Sequence, residues 1–130
     1  MMREGGRVLV ADDHEMIATL LVRELAAEGY EVLAETDPDR VRSAVVRWRP
    51  RLALLDVQMS PRERFFTLRE LSTLPDGERP AVIAISGHAE PAIRTLAFQL
   101  GADHFLLKPW DCDELRRVAD ALLHGEHARI

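Results

Sequence analysis

The 130-residue chain reads as an α/β protein, a doubly wound parallel sheet with helices on both faces. Three observations predict it. Short apolar runs rich in Val, Ile and Leu recur without polar alternation, the pattern of strands buried on both faces. Between them lie stretches with apolar residues at helical spacing. And four runs stop abruptly on a residue that can do chemistry: Val8–Ala11 on Asp12-Asp13, Leu52–Leu55 on Asp56, Ala81–Ile85 on Ser86, and Phe105–Leu107 on Lys108. In a parallel sheet all strand carboxyl ends lie along one edge, where open α/β folds bind ligands.

The elements follow in order. A strand at 7–11 leads into a helix whose stripe is Ile17, Leu20, Leu21 and Leu25, closed by Gly29 at C′. Residues 31–35 form a second, shorter strand. Asp37-Pro38 opens the next helix as N-cap and first helical residue, with Val41, Ala44, Val45 and Trp48 on its buried face and Pro50 barring continuation. The third strand is 51–56. Ser60-Pro61-Arg62-Glu63 reads as a capping box, so a helix is expected to start there, with Phe65, Leu68 and Leu71 facing the core. The loop 74–80 contains Pro-Asp-Gly and precedes a strand at 81–86. A helix from Glu90-Pro91 carries Ile93, Leu96, Ala97 and Leu100 and stops at Gly101. A strand at 104–107 follows. Asp111 then caps a last helix with Leu115, Val118 and Leu122 inside, ended by Gly125. Five β-α units with right-handed crossovers result, expected as one domain over 1–130 with its core at about 7–124 and a short tail at 125–130.

Composition narrows the function. A formal net charge of −5 argues against a general nucleic-acid or anionic-membrane binder. No apolar stretch is long enough for a transmembrane helix, and the N-terminus lacks a signal peptide's apolar core. One cysteine, Cys112, forbids an internal disulfide. A cytoplasmic location is expected. Sixteen of the 17 basic residues are arginine; the single lysine, Lys108, stands before Pro109 at a strand end. A compact ammonium is not interchangeable with a planar guanidinium, so the exception marks Lys108 as a site residue.

Asp12, Asp13 and Asp56 gathered in one cleft repel one another unless a cation sits among them. Oxygen ligands with open positions suit Mg2+. A carboxylate beside that ion can attack phosphorus to give an aspartyl phosphate, the metal, the Lys108 ammonium and the Ser86 hydroxyl supplying charge and hydrogen bonds to the phosphoryl oxygens. Each residue also has a plainer reading: helix N-cap for Asp12 or Asp13, turn residue for Asp56, turn hydroxyl for Ser86, solvated lysine for Lys108. Their joint placement at four strand ends favours the chemical reading. The five histidines show no metal-ligand spacing, and the acidic neighbours of Cys112 oppose its activation as a nucleophile. Trp110 is expected to pack at the loop after the last strand.

Asp12-Asp13, Asp56, Ser86 and Lys108-Pro109 resemble, in order and spacing, the motif set of bacterial two-component response-regulator receiver domains (CheY-like), in a single-domain form. The resemblance covers nearly the whole chain. It implies a flavodoxin-like (βα)5 three-layer sandwich with strand order 2-1-3-4-5. It also implies a phosphoacceptor switch: Asp56 receives a phosphoryl group from a sensor histidine kinase or histidine phosphotransfer protein. Asp12, Asp13, Asp56 and the backbone carbonyl of Gln58 would hold Mg2+. Lys108 would contact the phosphoryl group, Ser86 would move toward it, and Phe105 would be the switch aromatic. Gln58 and His88 stand where the family tunes dephosphorylation. The face of helix four, strand five and helix five would bind a downstream protein, or a second copy on phosphorylation, with no catalysis on an external substrate. The sequence departs from the family after Asp56, where Ser60 replaces a proline and Arg64 a glycine. A phosphorylation-independent interaction module is the alternative reading. An aspartyl phosphatase ranks last, because Gln58 stands where such enzymes place a second acid.

Overall fold

The structure, a computed structural model, describes residues 6–59 and 63–124. The elements alternate: β1 (Arg7–Ala11), α1 (Glu15–Ala27), β2 (Glu31–Glu35), a 3-10 turn (Pro38–Arg40) leading into α2 (Val41–Trp48), β3 (Leu52–Asp56), α3 (Phe66–Ser72), β4 (Ala81–Ser86), α4 (Pro91–Gln99), β5 (His104–Leu107) and α5 (Cys112–Leu123). The five strands form one sheet in the order β2-β1-β3-β4-β5, with every neighbouring pair parallel. The expected doubly wound topology is thus the observed one.

Strand parity divides the core in two. Leu9, Ala53, Leu55, Val82, Ala84 and Phe105 point to one side, where they pack with buried residues of α2, α3 and α4. Val8, Val10, Leu52, Leu54, Ile83, Ile85 and Leu106 point to the other, against α1 and α5. β3 is buried along its whole length, which explains its unbroken apolar run. Edge strand β2 is only half-buried and carries Glu31 and Glu35 at its ends, charges that discourage a further strand from pairing there.

Local chemistry accounts for most boundaries. Gly29, at φ 94°, leaves α1 through the left-handed region that a glycine adopts without strain. The Asp111 side chain accepts from Asp113 and Glu114 N–H, the expected cap of α5, whereas Asp37 accepts from Asp39 N–H and caps only the 3-10 turn, α2 itself starting at Val41 without a side-chain cap. Arg49 closes α2 in the left-handed region at φ 57°.

Two expectations need correction. Leu20 does not line the core: it is 44% exposed, because the buried stripe of α1 runs through Ala18, Leu21 and Leu25. And α3 does not begin at the expected capping box. Residues 60–62 lie outside the described residues, but Glu63 to Phe65 are non-helical and α3 starts only at Phe66. Phe65 enters it at φ 65°, its N–H donating to Val57 O at 2.6 Å and its ring buried in the core. Burial of such a ring offsets the cost of a left-handed non-glycine residue, about 1–3 kcal/mol.

Candidate functional site

The parity that sorts the core also sorts the residues at the carboxyl edge. Asp12 and Asp56 continue the Val8-Val10 and Leu52-Leu54 series, and Lys108 continues from Leu106, so all three belong to the α1/α5 side. Ser86 continues Val82-Ala84 and shares the opposite side with Phe105.

On the first side the ammonium of Lys108 bridges two carboxylates. Its Nζ lies 2.8 Å from Asp12 Oδ2 and 3.0 Å from Asp56 Oδ2. Only the Asp56 contact has the direction of a hydrogen bond; buried Asp12 Oδ2 is held by charge alone. The second oxygen of each carboxylate is fixed by its own turn. Asp12 Oδ1 accepts from His14 N–H at 2.9 Å, and Asp56 Oδ1 from Gln58 N–H at 2.8 Å. Both are Asx turns, a conformation aspartate builds from its own backbone. Asp56 is therefore aimed from two sides while only 5% exposed.

Electrostatics follow from this burial. Desolvation, the largest influence, pushes the Asp56 carboxyl above its ordinary value, and the negative charge of Asp12 adds to the rise; Gln58 N–H and Lys108 oppose it without cancelling it. For Lys108, burial works against the charge. The neighbouring carboxylates of Asp12 and Asp56 outweigh it and hold the ammonium above the usual lysine range. A basic, poorly hydrated carboxylate beside a persistent cation is suited to nucleophilic attack.

Asp13 is more exposed than Asp12 and faces His14, whose Nδ1 lies 3.3 Å from Asp13 Oδ1 and 3.4 Å from Asp12 Oδ1. Asp12, Asp13, His14 and Asp56 each offer one ligand atom, all within 4.8 Å of one another. Three carboxylates against one lysine leave a surplus of negative charge, so the group fits a hard divalent cation. His14 was missed by sequence reasoning, which sought spacing among histidines. Its signal was adjacency to Asp12-Asp13 at a strand end.

On the second side Ser86 is fully buried, and its Oγ accepts from His88 N–H at 2.9 Å. β4 and β5 place Ser86 opposite Leu107 and Ala84 opposite Phe105. Phe105 is 4% exposed, with the Arg94 guanidinium 5.8 Å from its ring centre. His88 is on the surface, 3.7 Å from Glu90. Trp110, in the loop after β5, packs against the α1/α5 side of the core, and its Nε1–H donates to Glu24 Oε1 at 3.0 Å. Cys112 is exposed, and a hydrogen bond to Glu24 raises its thiol above the ordinary range.

The response regulator receiver domain family matches residues 8–120. The chain belongs to that family. Among curated relatives it is similar to the transcriptional regulatory protein CpxR of Klebsiella pneumoniae, 31% identical over 121 residues, which cover 93% of this chain and 50% of that protein. It is also similar to the phosphate regulon transcriptional regulatory protein PhoB of Rhizobium meliloti, 28% identical, with 90% of this chain and 52% of that protein covered. The chain thus spans about half the length of the curated relatives it matches. Among solved structures, the receiver domain of NtrX from Brucella abortus is 32% identical at a TM-score of 0.80, covering 90% of this chain and 98% of that one. A Francisella response regulator receiver domain shares the fold at a TM-score of 0.83 with 21% identity, covering 93% and 98%. Receiver domains are signalling switches of two-component systems that bind Mg2+ at an acidic pocket. Among the described residues of this receiver domain, no helix is long and apolar enough to cross a membrane.

Proposed function

We propose that Asp56 is the phosphoacceptor of this receiver domain, taking a phosphoryl group from the phosphohistidine of a sensor kinase or histidine phosphotransfer protein. The observation that carries the reading is the double aiming of a desolvated Asp56 by Gln58 N–H and the Lys108 ammonium. An Asp56 oxygen attacks phosphorus, the P–N bond breaks, and its electron pair leaves on the imidazole nitrogen. Asp12, Asp13, Asp56 and the Gln58 carbonyl would hold Mg2+, which when bound neutralises charge on the phosphoryl oxygens. Lys108 then transfers its contact from carboxylate to phosphoryl oxygen, with no further acid or base needed.

The readout lies on the other side of the sheet edge. Ser86 is one strand away from Asp56 and is positioned to donate its hydroxyl to a phosphoryl oxygen, giving up its bond from His88 N–H. Phe105, on the same side, follows the volume that Ser86 vacates. The surface over α4, β5 and α5 then presents Phe98 and Leu107, already 38% and 43% exposed, to a downstream protein or a second copy of the chain. Gln58 and His88 flank the pocket mouth and govern access of water. Substituting either alters the lifetime of the acyl phosphate, and unchanged decay in both variants would remove them from this role.

The deciding measurement is intact mass after incubation with a small-molecule phosphodonor and Mg2+, beside Asp56→Asn and a chelator control. One phosphoryl adduct, absent from both controls, is expected. No adduct from a folded protein would sink the proposal and favour a phosphorylation-independent interaction module, with Arg64 and the late start of α3 as its structural basis.

A further inference from the structure

His14 stands at the mouth of the acidic pocket with nothing else to do. It occupies the N-cap position of α1, yet its side chain makes no capping hydrogen bond. Its backbone N–H is tied to Asp12 Oδ1 at 2.9 Å, which fixes how far the ring can reach. The ring is 71% exposed, so it is free to turn, and Nδ1 already lies within 3.4 Å of an oxygen of both Asp12 and Asp13. Ligands around a six-coordinate ion with bonds of about 2.1 Å sit roughly 3 Å apart when adjacent and roughly 4.2 Å apart when opposite. The separations among the four side chains, all within 4.8 Å, come within a small adjustment of that shell.

We propose that His14 is a nitrogen ligand that biases the pocket from Mg2+ toward divalent first-row transition ions, Mn2+ being the mildest case. The inference deepens the proposed function and rests on its assignment of Asp12, Asp13 and Asp56 to a metal. Carboxylate and carbonyl oxygens alone suit hard Mg2+, which gains little from imidazole. Mn2+ keeps the same octahedral preference and accepts nitrogen more readily, and the gain increases along the series toward Cu2+. A receiver with such a pocket would be charged with whichever divalent ion is available, and its switching would respond to transition-metal supply as well as to its kinase.

Mn2+ makes the test direct because it is paramagnetic. The full chain is titrated with Mn2+ by electron paramagnetic resonance at about pH 8, where an ordinary imidazole is neutral. Electron spin echo modulation of the bound ion then looks for 14N, and Mg2+ competition gives the ratio of affinities. Wild type should show nitrogen modulation that His14→Ala abolishes, with Mn2+ affinity falling about tenfold more than Mg2+ affinity, the order of effect that a neighbouring ligand change has on metal sites. Binding that is lost in Asp13→Asn but carries no nitrogen modulation would overturn the role of His14 and leave the pocket reading intact, as would an equal fall for both metals in His14→Ala. Absence of saturable Mn2+ binding to wild type, or binding indifferent to Asp13→Asn, would overturn both.

Discussion

The two sides of the sheet's carboxyl edge are built differently. On the α1/α5 side, the strands end in Asp12, Asp56 and Lys108, a charged group whose members hold one another at 2.8 and 3.0 Å. Behind it stand the two longest helices, of 13 and 12 residues. On the opposite side the strands present Ser86 and Phe105, neutral and packed, behind helices of 8, 7 and 9 residues. Short helices have few internal hydrogen bonds to lose and few buried contacts to break, so they open at lower cost. The difference teaches a division of labour. On the proposed function, one side fixes the charges for the chemistry, and the shorter helices of the other make it the side to carry the readout.

The largest expected effect tests the rigid side. Leu21 is buried between α1 and β1, and Leu21→Ala should cost about 3 kcal/mol in urea unfolding, the usual outcome where a core cannot collapse around the cavity. A loss below about 1 kcal/mol would mean that the α1/α5 layer yields as easily as the other, and the division would fail.

A smaller effect of opposite sign probes the charged group. Because desolvation raises the Asp56 carboxyl above its ordinary value, the folded protein binds that proton more readily than the unfolded chain does. Ionised Asp56 therefore subtracts stability. The penalty is absent below the ordinary carboxylate range, grows as pH rises through it toward the shifted value, and is complete above that value. In a chelator, Asp56→Asn should stabilise the protein by about 1 kcal/mol at neutral pH, since a neutral isostere of a buried charge is often favourable. The gain should vanish in acid. A variant less stable than wild type at neutral pH would show that Lys108 more than repays the desolvation of Asp56, making the charged side a source of stability rather than a site maintained at its expense.

What was legible in the sequence follows the same line. Asp12, Asp56, Ser86 and Lys108 could be located because a buried parallel strand has no alternation and ends where a polar residue must meet the edge. The caps at Asp37 and Asp111 were equally plain, since their hydrogen bonds join residues two or three apart. Where the controlling contact is distant, reading failed. Phe65 adopts its left-handed conformation through Val57 O and a core filled by other elements, so nothing local announces that α3 starts at Phe66. Leu20 and Leu21 are equally apolar, and only packing decides which faces inward. His14 joins the acidic cluster through the turn that Asp12 builds, a geometry that residue spacing alone does not express.

The smallest expected effect addresses the soft side. Arg94 on α4 is exposed, yet its guanidinium lies 5.4 Å from the Phe98 ring centre and 5.8 Å from that of Phe105. A cation over two rings at an exposed site contributes only about 0.5–1 kcal/mol, so Arg94→Ala should leave unfolding almost unchanged. Its consequence should instead be local. With the guanidinium gone, Phe105 loses a cover that favours its buried position, and its ring should exchange more freely with an exposed one. Relaxation of a 19F- or 13C-labelled Phe105 ring reads this directly, in the unphosphorylated protein and without a partner. Faster exchange at nearly constant stability would locate the soft element at the α4–β5 contact. An unchanged ring would mean that β5 itself, and not its cover, holds Phe105 in place, and the readout side would then be no looser than the charged one.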